Sequence, residues 1–413
     1  MTGSTIDHLV SLMVFLGAIL LFIGLFNQTI QTAILYQRHR AIATKCSDLL
    51  DNMLLNPGNP LDWGKNNCIP TGFGLQDPEF TQYRLSSFSL MRLLSSAGNR
   101  VYYSQTGKWY SNVSWGIGGG YLLLPESECI NYSTASKLLG VNGTYGFQLT
   151  INPTLTVNVR EVQLIPLRLE VQVMGPGVPL SGANLDYLLF WTIGREEGGW
   201  PLFNYTSCST QTNSAGLAYL EFSDNPYIRV DDNKTAYTII LKAHVGGLYG
   251  IGYKSRETIT SAGNIIPFVE SYENGTVLLA HKWGKNDPDG NQGALFFNAT
   301  FYVLSDNFVP INVYIPNSTG LVNYGKEGKP FHRIQIPTAN PGFLVVAYCK
   351  SANEYGMVVM PWGIGTIGIS VVFGGDPFGK EWVVTDMRQV LVGDIAYQAK
   401  LALWSLQGYQ VIG

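Results

Sequence analysis

The feature that most constrains this chain is an unbroken apolar run at residues 9–26, LVSLMVFLGAILLFIGLF, with no charged side chain between Leu9 and Gln37. At about 1.5 Å per residue, a helix of this length crosses the hydrocarbon core of a bilayer. A helix that is apolar all round faces lipid or is buried on every side, so a buried core helix is one alternative. A cleaved secretory signal is another, but no Lys or Arg precedes the run and no A-x-A site follows it. We therefore predict an uncleaved membrane anchor.

Beyond the run, apolar residues keep helical spacing while charged residues occupy the opposite face. The sequence Asn56-Pro57-Gly58-Asn59-Pro60 then ends the pattern, because two prolines and a glycine cannot continue a helical hydrogen-bond ladder. We predict one helix over residues 9–55, whose second half is an amphipathic stalk. Its apolar stripe, which must bury against a partner, consists of Ala41, Ile42, Leu49, Leu50 and Met53.

An apolar half that becomes an amphipathic stalk and leads into a β-rich head resembles the archaeal type IV pilin family, over residues 1–60. That family has a basic residue and a glycine before its processing site and a glutamate soon after it. Here Gly3 stands before the site, Asp7 is the acid, and Thr2 takes the place of the basic residue. The resemblance implies a subunit of a pilus-like surface filament whose helix packs in the filament core. A single-pass surface protein explains the same residues, and both interpretations stay open.

Two signals bear on which side of the membrane the head occupies. Arg38, Arg40 and Lys45 follow the span, which by the positive-inside tendency favours a cytoplasmic head. Against this, residues 112–319 contain eight N-x-[ST] sequons, about twice the number expected by chance. A large domain can override a short charge bias, so we predict a single-pass protein of the cell membrane with an extracellular, glycosylated head. The candidate glycosylation sites are Asn112, Asn131, Asn142, Asn204, Asn233, Asn274, Asn298 and Asn317.

The five cysteines are far apart and contain no C-x-x-C pair, so no zinc, redox or haem motif is indicated. In an oxidising compartment the candidate disulfides are Cys68 with Cys129 and Cys208 with Cys349, which leaves Cys46 free. Five buried thiols that act as small apolar residues are the alternative.

The remainder predicts a mainly β fold, in which β-sandwich domains follow the N-terminal helix. We divide it into a mixed α/β membrane-proximal domain at 61–158, an Ig-like β-sandwich at 159–255 and a β-rich C-terminal domain at 256–413. Short helices are expected within 81–96 and 134–139, and a closing hairpin turns at Gly393-Asp394. In the middle segment, PLSGANL, TNSAGLAYLEF and YTIILKAHVGG resemble Ig-like and carboxypeptidase-regulatory modules of surface proteins. Its last strand is predicted to turn Tyr237 and Ile239 inward and Thr238 outward.

Few residues point to chemistry. Charged residues make up only 13% and the net charge is -3, which disfavours a nucleic-acid partner. No Walker A, G-x-S-x-G or H-E-x-x-H motif occurs, and the Asp287-Pro-Asp289-Gly-Asn291 loop lacks the later glutamate of an EF-hand, so we predict neither cofactor nor metal. Two glycine-rich stretches, 116–120 and 246–252, are interpreted as turns.

We expect a non-catalytic surface glycoprotein with a structural or adhesive role. Its partners would be the membrane and, through the head, further copies or other surface proteins. The competing class is a surface carbohydrate-active hydrolase that uses the close acidic pairs Glu126 with Glu128 and Glu196 with Glu197.

Overall fold

The computed structural model describes residues 2–80, 82–93, 100–103, 106–114, 121–195, 199–222, 235–256, 265–271, 273–281, 295–305, 308–322, 331–337, 341–351, 354–363 and 368–406. Over these residues the protein is a long N-terminal helix followed by a mainly β head, as predicted. The helices are α1 (Thr2–Leu55), α2 (Ser87–Met91) and α3 (Tyr132–Leu138).

The strands, in chain order, are β1 (Arg84–Leu85), β2 (Arg100–Tyr103), β3 (Lys108–Ser114), β4 (Tyr121–Pro125), β5 (Tyr145–Pro153), β6 (Thr156–Gln163), β7 (Arg168–Met174), β8 (Asn184–Arg195), β9 (Pro201–Gln211), β10 (Leu217–Glu221), β11 (Tyr237–Val245), β12 (Leu248–Arg256), β13 (Ile265–Ser271), β14 (Thr276–His281), β15 (Leu295–Leu304), β16 (Pro310–Val313), β17 (Thr319–Val322), β18 (Phe331–Gln335), β19 (Gly342–Ser351), β20 (Glu354–Trp362), β21 (Val371–Gly374), β22 (Val384–Val392) and β23 (Ile395–Ser405).

α1 ends at Leu55, immediately before the Asn56-Pro57 pair that was predicted to stop it. The orphan carbonyl of Met53 in its last turn accepts a hydrogen bond from Leu75 N at 2.8 Å, so the following loop caps the helix. Within the helix predicted over 81–96, the described residues contain only the short α2, whose N-terminus is capped by Ser86. The helix predicted over 134–139 is present as α3, capped by the side chain of Asn131.

α1 packs on a five-stranded sheet with the order β1-β22-β23-β5-β21, which we call the helix-bound sheet. The predicted C-terminal hairpin forms its centre as β22 and β23. Its turn has Gly393 at φ +60°, which only glycine adopts without strain. β23 also pairs along its length with β5, so this hairpin is an interior part of a larger sheet.

Strands β6 to β12 form a seven-stranded sandwich, with β10-β7-β6 on one side and β12-β11-β8-β9 on the other. Alternate residues of β7, β8, β10 and β11 fill the space between the two sheets. The sandwich spans Thr156–Arg256 and therefore coincides closely with the predicted segment 159–255. Its resemblance to Ig-like modules stays a prediction.

The central sheet, ordered β16-β15-β19-β20 with β17 also paired to β15, is covered on both faces. Phe297, Leu344 and Met360 point into the main core with α1, whereas Phe343 and Met357 pack on β8 and β11 of the sandwich. Strands of a sheet that is buried on both faces have continuous apolar sequences, which explains the sequence FLVVAY of β19.

This second layer corrects the face assignment of β11. Tyr237 and Ile239 are buried as predicted, but Thr238, predicted to point outward, is also fully buried. Its hydroxyl lies 2.8 Å from that of Ser255. Alternation identified the two faces of the strand correctly, yet the central sheet covers the face that was assigned to solvent.

The boundaries predicted at 61–158 and 256–413 do not separate two sheets. β1 pairs in parallel with β22, β4 in parallel with β13, and β5 with β23. A six-stranded sheet, β18-β14-β13-β4-β3-β2, likewise combines strands from both segments. The two segments share one core because strands of one segment pair with strands of the other.

The glycine-rich stretch 246–252, which is interpreted as a turn, forms a turn only in its first part. Gly246 and Gly247 adopt positive φ at the β11–β12 turn, but Gly250 and Gly252 lie inside β12. A Cβ on Gly252 would sit 2.3 Å from the carbonyl oxygen of Val157, so these glycines let β6 cross closely over β12. The stretch 116–120 lies outside the described residues.

Candidate functional site

The candidate site is α1, which has a free half and a docked half. Every residue with a described side chain from 6 to 41 is exposed, including large apolar side chains such as Phe22 at 69% and Leu20 at 69%. By length and composition this is the one helix among the described residues that could span a membrane, and a signal sequence near an N-terminus has the same properties. A membrane helix is therefore consistent with the structure.

The docked half begins at Ile42 and packs on β22 and β23. Of the predicted stripe, Ala41 is exposed, whereas Ile42, Leu49, Leu50 and Met53 are buried. Cys46 is fully buried, and its Sγ lies 3.6 Å from the carbonyl of Leu401. Burial raises the pKa of this thiol to about 11, so Cys46 acts as a small apolar residue at the helix–sheet interface.

An ionic cluster fixes the docked half to β22. Arg388 Nε donates to Asp51 Oδ1 at 2.9 Å, Nη1 donates to Asp386 Oδ1 at 2.8 Å, and Nη2 donates to Ser47 Oγ at 2.9 Å. Tyr83 also donates to Asp51 at 3.2 Å. These hydrogen bonds raise the pKa of Arg388 and, together with the packed stripe, hold the direction of the helix relative to the head.

Below the helix, the loop that follows residues 56–60 is organised by Trp63 and Arg92, both fully buried. Trp63 Nε1 donates to the Gly74 carbonyl at 2.9 Å. The Arg92 guanidinium donates to the carbonyls of Trp63, Asn66 and Cys68, and at 2.7 Å to that of Glu128. One side chain therefore ties the loop after α1 to the segment that precedes α3.

Sequence reasoning did not identify Arg92 or Arg388 as functional. The sequence TDMRQ contains a signal for Arg388. Its acid and its base lie on the same side of a strand, and that side packs against the amphipathic half of the helix. No local signal distinguishes Arg92, because its acceptors are backbone carbonyls from distant segments.

The sequon asparagines occupy different environments. Asn298 is half-buried, and its Nδ2 donates to the Pro201 carbonyl at 3.2 Å, so a glycan there would have to replace this contact. Asn112 lies on β3 without a described side chain, and Asn233 lies outside the described residues. The exposed ones are Asn131, Asn142, Asn204, Asn274 and Asn317.

All five cysteines are free thiols in the structure, so neither candidate disulfide is formed in it. Cys68 and Cys208 are exposed, whereas Cys349 is buried. Cys129 is largely buried, which raises the pKa of its thiol to about 12. The proposed Cys68–Cys129 pair joins two segments that Arg92 already brings together, and both pairings stay predictions.

The carboxylates of the acidic pair Glu126 and Glu128 lie in different environments. Glu126 accepts from Arg100 at 2.6 Å, while Glu128 is buried. Glu196, Glu197 and the 287–291 loop lie outside the described residues. Within the described part, no three His, Cys, Asp or Glu side chains cluster as metal ligands.

No protein-family model matches this sequence. No curated protein matches it either. Among solved structures, red sea bream transglutaminase aligns with 12% identity over 62% of this chain and 37% of its own, with a TM-score of 0.19. A biofilm-associated protein, BSP domain, aligns with 8% identity over 50% of this chain and 29% of its own, at a TM-score of 0.15. At these scores the similarity indicates neither a shared fold nor an activity.

Proposed function

We propose that the protein is a non-catalytic surface glycoprotein, anchored by α1 in the cell membrane, whose extracellular head has a structural or adhesive role. The observation that carries the proposal is the division of one helix into two halves. An apolar half is free of the head, and a second half is built into the head's core.

This arrangement supports a rigid connection between membrane and head. The helix continues without a break from Thr2 to Leu55, and Arg388 and the buried stripe fix its second half. A head attached in this way is held at a set distance from the bilayer, whereas a flexible linker would let it move freely. The exposed sequon asparagines support an extracellular head, because glycans there would project into solvent.

The native cysteines allow a direct test of topology. A membrane-impermeant maleimide, applied to intact cells after an impermeant reductant, is expected to label the exposed Cys68 and Cys208. The buried Cys46 and Cys349 serve as internal controls, and a Cys68→Ser/Cys208→Ser variant should remain unlabelled. Labelling that requires cell lysis would contradict the extracellular head.

A pilus-like filament subunit is the second candidate, and the length of the free helix favours it. Residues 6–35 extend about 45 Å, beyond the roughly 30 Å hydrocarbon core. Ile30, Ile34 and Leu35, exposed at 42, 44 and 39%, would be covered by neighbouring helices in a filament. Polymers in sheared surface fractions with an N-terminus near Ser4 would establish the filament; intact Met1 in solubilised membranes would establish the single anchor.

A further inference from the structure

A polar cleft of about 1050 Å³ lies where the sandwich meets the helix-bound sheet. One wall is formed by β6 and β12 of the sandwich, and the other by the outer face of β5, β23 and β22. The chain crosses from one body to the other between them, through Thr154 and Leu155. Ligand sites favour such junctions because two elements can contact one molecule from opposite sides.

Three amide side chains form a row along one wall. Gln389 on β22 is the cross-strand partner of Gln398 on β23, and Gln398 is the partner of Asn152 on β5. All three are exposed, and the described residues offer their side chains no hydrogen-bond partner. Adjacent strands place the amides about 4.8 Å apart, so they present a regular series of donors and acceptors.

The rest of the lining is nearly uncharged and combines polar side chains with aliphatic ones such as Leu155, Val157 and Ile251. Among the described residues it contains no carboxylate and a single ammonium group, that of Lys254. Hydroxyl groups come from Thr156 and Ser370, and the phenol of Tyr253 is also present. Burial raises the pKa of Tyr253, whose ring packs against the hydrophobic core.

We propose that this cleft binds a neutral oligosaccharide. Amide groups both donate and accept, which matches the paired donor and acceptor of each sugar hydroxyl. A polyanion would find one cation, a metal ion would find no carboxylate, and an apolar ligand would leave the amide row and the hydroxyl groups without hydrogen-bond partners. The oligosaccharide would be the partner in the adhesive role, so this inference rests on the proposed function.

A peptide is the competing ligand, since β6 is an edge strand of its sheet and also lines the cleft. A peptide strand added to β6 would use backbone hydrogen bonds and would not require the amide row. The row projects from strands whose backbones are already paired, so its side chains alone are available. Substitution of the central amide therefore distinguishes the two ligand classes.

The test uses the full-length chain in lipid nanodiscs and calorimetric titration with maltohexaose, cellohexaose, mannohexaose and N-acetylchitohexaose. We expect at least one to bind, and Gln398→Ala to weaken that binding about tenfold by removing a bidentate contact. Gln211→Ala, which removes an exposed amide on β9 outside the cleft, should leave binding unchanged. Unchanged thermal unfolding of both variants shows that the head remains folded.

Three outcomes would overturn the proposal. In the first, none of the four sugars binds at concentrations up to about 5 mM. In the second, a sugar binds but Gln398→Ala does not weaken its binding. In the third, oligogalacturonate binds more tightly than the neutral sugars. Capture of an extended peptide by both wild type and Gln398→Ala would assign the cleft to peptides instead. The thiol-labelling test measures the topology of the head without any ligand. Failure of the oligosaccharide proposal can therefore be distinguished from failure of the anchored-glycoprotein proposal.

Discussion

Arg388 on β22 and Asp51 on α1 form a two-point contact, with Nε to Oδ1 at 2.9 Å and Nη2 to Oδ2 at 3.2 Å, across 337 positions of the sequence. Asp386 accepts from the same guanidinium at 2.8 Å. The contact joins the long N-terminal helix to the sheet that the C-terminal strands complete.

Substitution Arg388→Met should destabilise the head by about 1–2 kcal/mol, because Asp51 and Asp386 lose their shared cation at a partly exposed site. Thermal unfolding in detergent measures the effect. Arg160→Met is the matched control, since Arg160 pairs with Glu170 at 2.9 Å but is 72% exposed, and its loss should change stability little. Equal effects of the two substitutions would contradict a specific role for Arg388.

Acid should weaken the head. Hydrogen bonds from Arg333 lower the pKa of Glu270 below its ordinary value of 4.5. Burial opposes the charge on Asp386, but hydrogen bonds from Arg388 and Met387 outweigh it and lower the pKa of that carboxyl. A lowered folded-state pKa contributes stability above the ordinary value, and this contribution is lost as the pH falls through the lowered value.

Urea midpoints measured at pH 7, 5 and 3 should therefore be similar at the first two values and fall at the third. In Arg333→Met the contribution of Glu270 to stability is already absent. The difference in urea midpoint between this variant and the wild type should therefore be largest near neutral pH and become smaller in acid. A difference that grows as the pH falls would contradict this assignment.

Loss of Arg92 should be the most damaging of the charge substitutions. Arg92→Met leaves the buried carbonyls of Trp63 and Glu128 and the partly buried carbonyls of Asn66 and Cys68 without this donor, at an expected cost of about 3 kcal/mol or more. Arg92→Lys should restore little, because a single ammonium group cannot reach all four carbonyls. Thermal unfolding compares the two variants, and full rescue by lysine would contradict the multidentate role.

Gly252→Ala tests the close crossing of β6 over β12. Its Cβ would meet the Val157 carbonyl oxygen at 2.3 Å, so we expect a loss of about 1–3 kcal/mol. Gly175→Ala is the control, since its Cβ would meet only the flexible end of Leu180 at 3.3 Å. Urea denaturation of both variants measures the difference, and equal stability would contradict the close approach.

Features with local causes were predictable from the sequence. The end of α1 follows from Pro57 and Gly58, which cannot continue a helix. The C-terminal hairpin follows from Gly393 at the turn and from the alternation in β23. The long apolar helix follows from the uninterrupted apolar run at residues 9–26.

The candidate site was less predictable, because its chemistry depends on partners far along the chain. The sequence indicated that a stripe with Leu49 and Leu50 must be buried, but it could not show that β22 and β23 bury it. Thr238 was assigned to solvent because alternation distinguishes two faces of a strand and does not say whether a second sheet covers both.

By itself, therefore, the sequence determined where the long helix ends and where the C-terminal hairpin turns, and that an apolar helix leads into a β-rich head. Only the tertiary structure decided that β5 pairs with β23, that β4 pairs with β13, and that Gln389, Gln398 and Asn152 share one wall of a cleft. Helix ends and turns depend on residues a few positions apart. Strand partners are chosen by the packing of the whole core, in which the pleat specifies the face of each side chain but not its neighbour.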